Sequence, residues 1–440
     1  MIREISRRKC LRLWLCKPEY MGRTKWENRF VLLRFRKKNY MMFLKDLKRF
    51  KMERLYDKLK AYSESDFYAF HMPGHKRNKA LLGIELPYDL DITEIDGFDD
   101  LHHADGILKE EQERAARVFG AEESHFLVNG STAGILSAVM GCTHRGDKIL
   151  VARHCHKSIY HAIYMNGLVP RYVYPEFDIS MHMNGEISKE DVAKALAAEP
   201  DIKAVVIVSP NYDGVVSDVK GIAEVAHSYR IPLIVDEAHG PHFGFHPAFP
   251  GRANDLGADV VINSLHKTLP SLTQTAILHI NGKIVNRRRI KKYLDMLQSS
   301  SPSYIFMASL DACVDFVDGK CENAFELYVE RLQKFREELK PLQHLQILRT
   351  EHYDISKVVI STANANITSP ELADRLRKEY HLEMEMTGGT YVLAMTTVAD
   401  TQEGLNRLKA ALLEIDDQLE AKTAVSGSIE ISGELPRLEQ

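Results

Sequence analysis

No apolar run in the 440 residues reaches the roughly 18 needed to cross a bilayer as a helix, so a helical membrane-spanning protein is excluded. Cysteine is scarce and scattered: Cys10, Cys16, Cys142, Cys155, Cys313 and Cys321 show no close pairing of the kind that binds zinc. In a chain this long, opening on no secretory signal pattern, they read as reduced thiols, and a cytoplasmic location is expected. There is no internal repeat and no low-complexity segment, which excludes solenoids and long disordered linkers. The formal net charge is only −3. What remains is an ordinary globular composition at a length that calls for a large domain plus a smaller one.

The near-neutral total hides an asymmetry. Residues 1–51 carry 17 Lys and Arg against 4 Asp and Glu, whereas the rest carries 41 against 57. Both tryptophans, Trp14 and Trp26, lie in that first stretch. Such a basic segment is compatible with nucleic-acid or membrane-surface contact. Glu4, Glu19, Glu27 and the scarcity of Ser fit a transit peptide poorly. The stretch reads best as an extension that the fold does not need. An amphipathic helix starts at Met52-Glu-Arg-Leu-Tyr-Asp-Lys-Leu. No nucleic-acid or membrane partner is expected.

Beyond it, short β-branched runs alternate with helical patterns. Strands are predicted at 125–128, 148–152, 170–174, 203–208, 231–236, 259–264 and 273–280. Helices are predicted at 107–119, stopped by Gly120, and at 131–142, 156–166, 188–198 and 218–229. Ser188 caps one of these, and Ser217 or Asp218 another. The alternation predicts an α/β fold with a mostly parallel sheet covered on both faces. Helices follow at 284–298, 304–317 and 321–340. Strands near 344–349, 356–361 and 391–396 then surround a helix capped by Thr368 or Ser369, with Pro370 in its first turn. A last helix spans 401–420. The expected domains are 52–320 (major), 321–420 (small, α+β) and a tail, 421–440.

Chemistry concentrates where these strands end. Asp236-Glu-Ala-His-Gly240 closes one apolar run, and Ser264-Leu-His-Lys-Thr268 follows another. Ligands of open α/β sheets sit at such ends. A carboxylate at one and a lysine just past the next are the parts needed to hold pyridoxal phosphate. The amine attaches the cofactor aldehyde, and the carboxylate keeps the pyridine nitrogen protonated. Asn129-Gly-Ser-Thr-Ala133 lies between a strand and a helix. It is either a plain Ser/Thr cap or an anion site made of free helix N–H groups, with Gly130 allowing close approach and Ser131 and Thr132 adding hydroxyls. Ser264 and His266 flank Lys267 at spacings that can reach the same phosphate. His156 sits at a strand-to-helix junction, where it is either a capping histidine or a ring that stacks on the cofactor. Ser209, before Pro210, either starts a turn or bonds the cofactor's phenolic oxygen.

These motifs together resemble the ornithine/lysine/arginine decarboxylase family, on the aspartate aminotransferase type of fold. The resemblance is carried by Phe70-His-Met-Pro-Gly-His-Lys76, Asp91-Ile-Thr-Glu94 through Asp99-Asp-Leu-His-His103, Val128-Asn-Gly-Ser-Thr-Ala133, His156-Lys-Ser158, Pro210-Asn-Tyr-Asp-Gly214, Asp236–Gly240 and Ser264–Thr268. It covers residues 52–320 well and the remainder loosely. Ala104 departs from it, standing where the family has proline. The resemblance implies that Lys267 is the Schiff-base lysine and Asp236 the partner of the ring nitrogen. Ser131, Thr132, Ser264 and His266 become phosphate ligands, His156 the stacking ring, and His239 a neighbour of the attachment point. It also implies a homodimer with a shared site, Ser300-Ser-Pro-Ser-Tyr304 crossing to the partner.

The implied reaction is α-decarboxylation of arginine, lysine or ornithine, with His156 or Lys267 delivering the proton to Cα. Transamination or elimination on the same fold is the rival, and it would be favoured by a carboxylate-clamping Arg375 or Arg377. A non-catalytic binding protein is the rival from another class; an intact Lys267 and Asp236 speak against it. The substrate's cationic end needs a carboxylate, for which Glu383, Glu385, Glu94 and Asp96 are candidates.

Overall fold

Two runs of strand and helix, one after the other, build the chain. The computed structural model describes residues 53–81, 83–178, 182–348 and 350–422; the expectations for 1–51 and for the tail past 422 lie outside the described residues. The first run begins with helices α1 (Leu55–Ser63) and α2 (Ile107–Val118). It continues through β1 (Glu123–Leu127), α3 (Gly130–Cys142), β2 (Lys148–Ala152), α4 (Lys157–Asn166) and β3 (Val169–Val173). A small hairpin, β4 (Phe177–Asp178) and β5 (Met183–Asn184), precedes α5 (Lys189–Ala198), β6 (Ile202–Val208), α6 (Val219–Ser228) and β7 (Leu233–Asp236). After β8 (Val260–Asn263) come the single turn α7 (Leu265–Thr268), β9 (Ala276–Ile280), α8 (Arg287–Leu297) and α9 (Tyr304–Val317).

Strands β1–β3 and β6–β9 form one seven-stranded sheet in the order β1-β9-β8-β7-β6-β2-β3. The pairs β8–β7, β7–β6, β6–β2 and β2–β3 are parallel; β9 alone runs against its neighbours. The apolar runs explain the placement. Ala204, Val206, Ile234, Val260 and Ile262 face one core, while Val205, Ile207, Leu233, Val235 and Val261 face another. Strands apolar on both sides need helices on both sides, which is why they read as continuous rather than alternating. Parallel strands joined by helices then put the carboxyl ends of β1, β2, β6, β7 and β8 along one edge.

The second run starts with α10 (Glu322–Glu338). It adds β10 (Gln346–Ile347), β11 (Lys357–Ser361), α11 (Ser369–Tyr380), β12 (Met386–Thr387), β13 (Tyr391–Met395) and α12 (Gln402–Asp417). Its strands make an antiparallel sheet, β10-β11-β13-β12. Cap chemistry sets the helix starts: Ser188 accepts from the Asp191 N–H, Asp218 from Gly221, and Thr368 forms a reciprocal box with Glu371 ahead of Pro370.

Differences from the expected elements have local causes. β7 starts at Leu233 because Pro232 has no N–H to give; its carbonyl still accepts from Val205. The strand expected at 344–349 shrinks to two residues, an edge strand paired only with Ile360 and Ser361. β4, β5 and β12 are too short to show a period and were not anticipated.

Behind the sheet, α1, α2 and α9 meet over a buried ionic cluster. The Arg114 guanidinium bonds both Glu111 and Asp311, and Asp311 also accepts from the Leu55 N–H at 3.0 Å. Arg54 reaches the same Asp311 at 3.4 Å, so the first described turn is tied into the body. Burial, then the neighbouring Asp311, pushes the Glu111 carboxyl up to about 10. Removing Arg114 would leave the two buried carboxyls facing each other with only Arg54, 3.4 and 3.8 Å away and partly exposed, as their cation. Arg114→Leu is therefore expected to lower unfolding free energy by about 3–5 kcal/mol, checked by denaturant titration.

Candidate active site

The carboxyl edge gathers the sequence's candidate residues from five strand ends. Asp236 is the last residue of β7 and is only 3% exposed. Its Oδ1 accepts from the Ala238 N–H at 3.2 Å, and its second oxygen has no hydrogen-bond donor among the described residues. Burial raises the Asp236 carboxyl, and the amine of Lys267 pulls it back down. The parallel register sets Asp236 against Ile262, so the end of β8 arrives beside it and the turn α7 carries Lys267 past that end. Burial lowers the Lys267 amine, opposed by Asp236 and Glu385. Lys267 Nζ lies 2.8 Å from His239 Nε2.

The loop between β1 and α3 is not closed by its own cap residue. Asn129 is the cap residue of α3, yet it makes no capping bond; its Oδ1 accepts instead from the Ser299 N–H at 3.0 Å. Among the described residues, no side chain is seen to bond the N–H groups at the start of α3. Gly130 sits at φ +73°, a conformation side chains resist, with no atom closer than 3.9 Å to where a Cβ would be. The Ser264 hydroxyl donates to Ser131 Oγ at 2.8 Å, joining the two loops across the gap between β1 and β8. Thr132 follows in the first turn, exposed. Gln298 and Gln274 pin the Val128 N–H and carbonyl, at 2.9 and 2.6 Å, so the loop's backbone is fixed before any ligand arrives.

His266 bonds the Thr275 carbonyl through Nδ1 at 2.9 Å, which leaves Nε2 free to carry a proton to an anion only as imidazolium. His156 is the cap of α4: its Nδ1 accepts from the Ser158 N–H at 3.2 Å, fixing the proton on Nε2 and leaving the ring exposed. Capping and a free ring face are thus compatible. Ser209 Oγ accepts from the Ser217 N–H at 3.1 Å and so has a turn-holding role at the end of β6.

This donor set fits pyridoxal phosphate. An uncapped helix start with a positive-φ glycine and paired hydroxyls suits a phosphate. A carboxylate on a buried residue, with one oxygen not engaged by a donor, suits a protonated ring nitrogen, and a half-buried lysine between them suits the aldehyde.

Sequence reasoning missed what the second sheet contributes. Lys357, the first residue of β11, is fully buried and lies 3.1 Å from His239 Nδ1. Nearby, His242 bridges Thr268 Oγ1 at 2.9 Å and Asp354 Oδ1 at 3.1 Å, both ends buried. Tyr212 stacks at an angle on His239, ring centres 4.8 Å apart, and its hydroxyl donates to Glu385. Of the four candidate carboxylates only Glu385 is brought to the site by a described contact. The signal that was available was Asp354-Ile-Ser-Lys357, two charges opening an apolar strand. Arg375 instead pairs with Glu379 and Gln418, and Arg377 with Asp374, on the outer face of α11. Neither meets a site residue in any described contact. Tyr304 is also not a residue that can cross to a partner: it is buried, and its hydroxyl donates to the Asp99 carbonyl. Ser300 and Ser301 are exposed.

Comparison with known proteins agrees with this geometry. The Orn/Lys/Arg decarboxylase major domain matches residues 53–371. An arginine decarboxylase of Bacillus subtilis is 33% identical over 392 residues, 86% of this chain and 80% of the relative. The crystal structure of the Francisella novicida lysine decarboxylase superposes with a TM-score of 0.73 at 20% identity. That match covers 86% of this chain but only 62% of the larger protein. A ureidoglycine–glyoxylate aminotransferase of Bacillus subtilis shares the fold at TM-score 0.60 and 15% identity, over 78% of this chain and 90% of the aminotransferase. The chain belongs to the Orn/Lys/Arg decarboxylase family, pyridoxal phosphate-dependent enzymes that remove CO2 from basic amino acids.

Proposed function

We propose that this protein decarboxylates arginine to agmatine and CO2, with Lys267 as the attachment lysine and Asp236 as the partner of the ring nitrogen. The observation that carries the reading is the pairing of these two groups at adjacent parallel strand ends, beside an uncapped helix start. The choice of arginine is supported by the relative that spans 80% of its own length in the match.

When bound, the cofactor offers a protonated ring that takes up the electron pair left on Cα as CO2 departs. The chain's own groups do the rest. Asp236 holds the ring proton from a site where water is largely excluded, so its charge acts at full strength. Gly130, Ser131, Thr132, Ser264 and the α3 N–H groups would hold the phosphate, whose charge would favour the His266 imidazolium against the burial that lowers it. His156 covers one ring face, and it or Lys267 returns a proton to Cα. Ser209 stands at the phenolic oxygen. Glu385, already holding the Tyr212 hydroxyl on one oxygen, receives the guanidinium on the other. Residues 321–420 act as the small domain that brings Glu385 and Lys357 to the edge.

The active unit is proposed to be a cytoplasmic homodimer. Phe67, Tyr68, Phe70 and Met72 are 68, 69, 90 and 60% exposed, a cluster of apolar side chains suited to a second copy. Cys142, Cys155, Cys313 and Cys321 are all free thiols.

Product analysis tests the reaction: agmatine from arginine is expected, whereas cadaverine from lysine or a keto acid would overturn the assignment. Asp236→Asn should retain the cofactor and lose about 100-fold or more in turnover. Ser131→Ala and Ser264→Ala should each weaken pyridoxal phosphate about tenfold and leave phosphate-free pyridoxal unchanged, measured by equilibrium dialysis. Glu385→Gln is expected to raise KM for arginine about tenfold with a smaller effect on kcat.

A further inference from the structure

His239 stands between two amines. Lys267 Nζ is 2.8 Å from its Nε2 and Lys357 Nζ is 3.1 Å from its Nδ1. A neutral imidazole has one N–H and one lone pair, so the two amines cannot play the same part. An ammonium on one side can only donate; it takes the lone pair and sends the ring's proton to the other side. The amine there must then accept, which it does only as the free base. The ring therefore passes the charge state of one lysine to the other in opposite sense.

The surroundings decide which lysine holds the charge. Lys357 is sealed from solvent and faces Asp354, Asp213 and Glu385 as well as Lys267 and His239. Asp354 is itself buried; burial alone would raise its carboxyl, but His242 and Lys357 hold it below the ordinary value. It is kept ionised by bonds from His242 and from the Ser356 N–H and hydroxyl, at 3.0 and 2.8 Å. Lys267 faces Asp236 and Glu385. The backbone is also shaped for this contact. A Cβ on Gly214, at φ +106°, would meet Lys357 Cγ at 2.7 Å, so the lysine stem passes where only glycine leaves room. Burial, then the charges of Lys357 and Lys267, holds His239 neutral.

We propose that Lys357 is a positioning residue for the decarboxylation: as the charged member it fixes His239 in its Nε2–H form and keeps Lys267 a free amine whenever that nitrogen is unbound. The inference rests on the reading of Lys267 as the attachment lysine. It gives the second sheet a part in readying the nucleophile, because a free amine is what an aldehyde requires. The burial that lowers the Lys357 amine, to about 8, sets the limit. Below that pH Lys357 is charged and Lys267 is held free. Above it Lys357 is itself a free base and the constraint is lost.

The test measures Lys267 directly in cofactor-free, full-length protein. Acylation by a neutral anhydride is followed against pH, and the Lys267 peptide is quantified by mass spectrometry. In Lys357→Met the midpoint for Lys267 is expected to rise by about one pH unit, which approaches a tenfold loss of labelling at pH values below the wild-type midpoint. Labelling at pH 10.5 should match wild type, which a misfolded site would not do. In a His239→Ala background only the direct repulsion between the two amines remains, so the Lys357 substitution should shift the midpoint clearly less, whereas a separate structural effect would shift it equally. An unchanged midpoint, or an equal shift without His239, overturns the proposal. Histidine-selective 15N spectra of the wild type give a second measure: an Nε2–H tautomer at His239 supports it, and an Nδ1–H tautomer or an imidazolium overturns it. Borohydride fixation of the holoenzyme separately reports the attachment lysine. Fixation elsewhere overturns the catalytic meaning of Lys357 through failure of the underlying reading, even where the coupling between the two lysines is seen.

Discussion

Parallel pairing of β7 with β8 is the constraint on which the site depends. It brings a buried carboxylate, Asp236, and a largely buried amine, Lys267, to neighbouring strand ends. Each is costly to bury alone, and each lowers the other's cost. Strands β6, β7 and β8 present apolar side chains to cores on both faces, and the close packing of those two cores holds the strands in place. Register thus converts hydrophobic packing into the placement of two charges.

The loop between β1 and α3 follows the same logic at another strand end. A free helix start is normally closed by its own cap residue. Here Asn129 turns to Ser299, and the hydroxyls of Ser131 and Ser264 meet across the edge. The helix therefore gives up the stability of a cap and leaves its first N–H groups unoccupied by Asn129. Gln274 and Gln298 hold the strand that leads into it, so the loop's shape does not wait for a ligand. The second sheet closes the opposite side through two buried chains, Asp354–His242–Thr268 and Lys357–His239–Lys267. Both run from one short segment, 354–357, to two adjacent residues of α7.

The first of the two sheets could be read almost whole from the sequence, since buried parallel strands and capped helices leave strong local signals. Lys148–Ala152 and Tyr304–Val317 were expected at their observed ends. The short strands Phe177–Asp178 and Met183–Asn184 left none, because two residues carry no period, whereas Gln346–Ile347 was legible only as part of a longer strand. Asp236 and Lys267 were legible because strand ends are where side chains of an α/β sheet become available. Lys357 was not: a lysine at the start of a strand looks solvated until the fold shows what covers it.

The sequence by itself therefore determined the sheet, its strand ends, and the residues that stand at them, for these depend on local period and on which positions follow an apolar run. Only the tertiary structure decided which carboxylate, of Glu94, Asp96, Glu383 and Glu385, comes to the edge. It also decided that Asn129 leaves its helix uncapped, and that Tyr304 is core rather than contact. Those outcomes depend on partners more than a hundred residues away, and separation in the chain carries no trace of proximity in space.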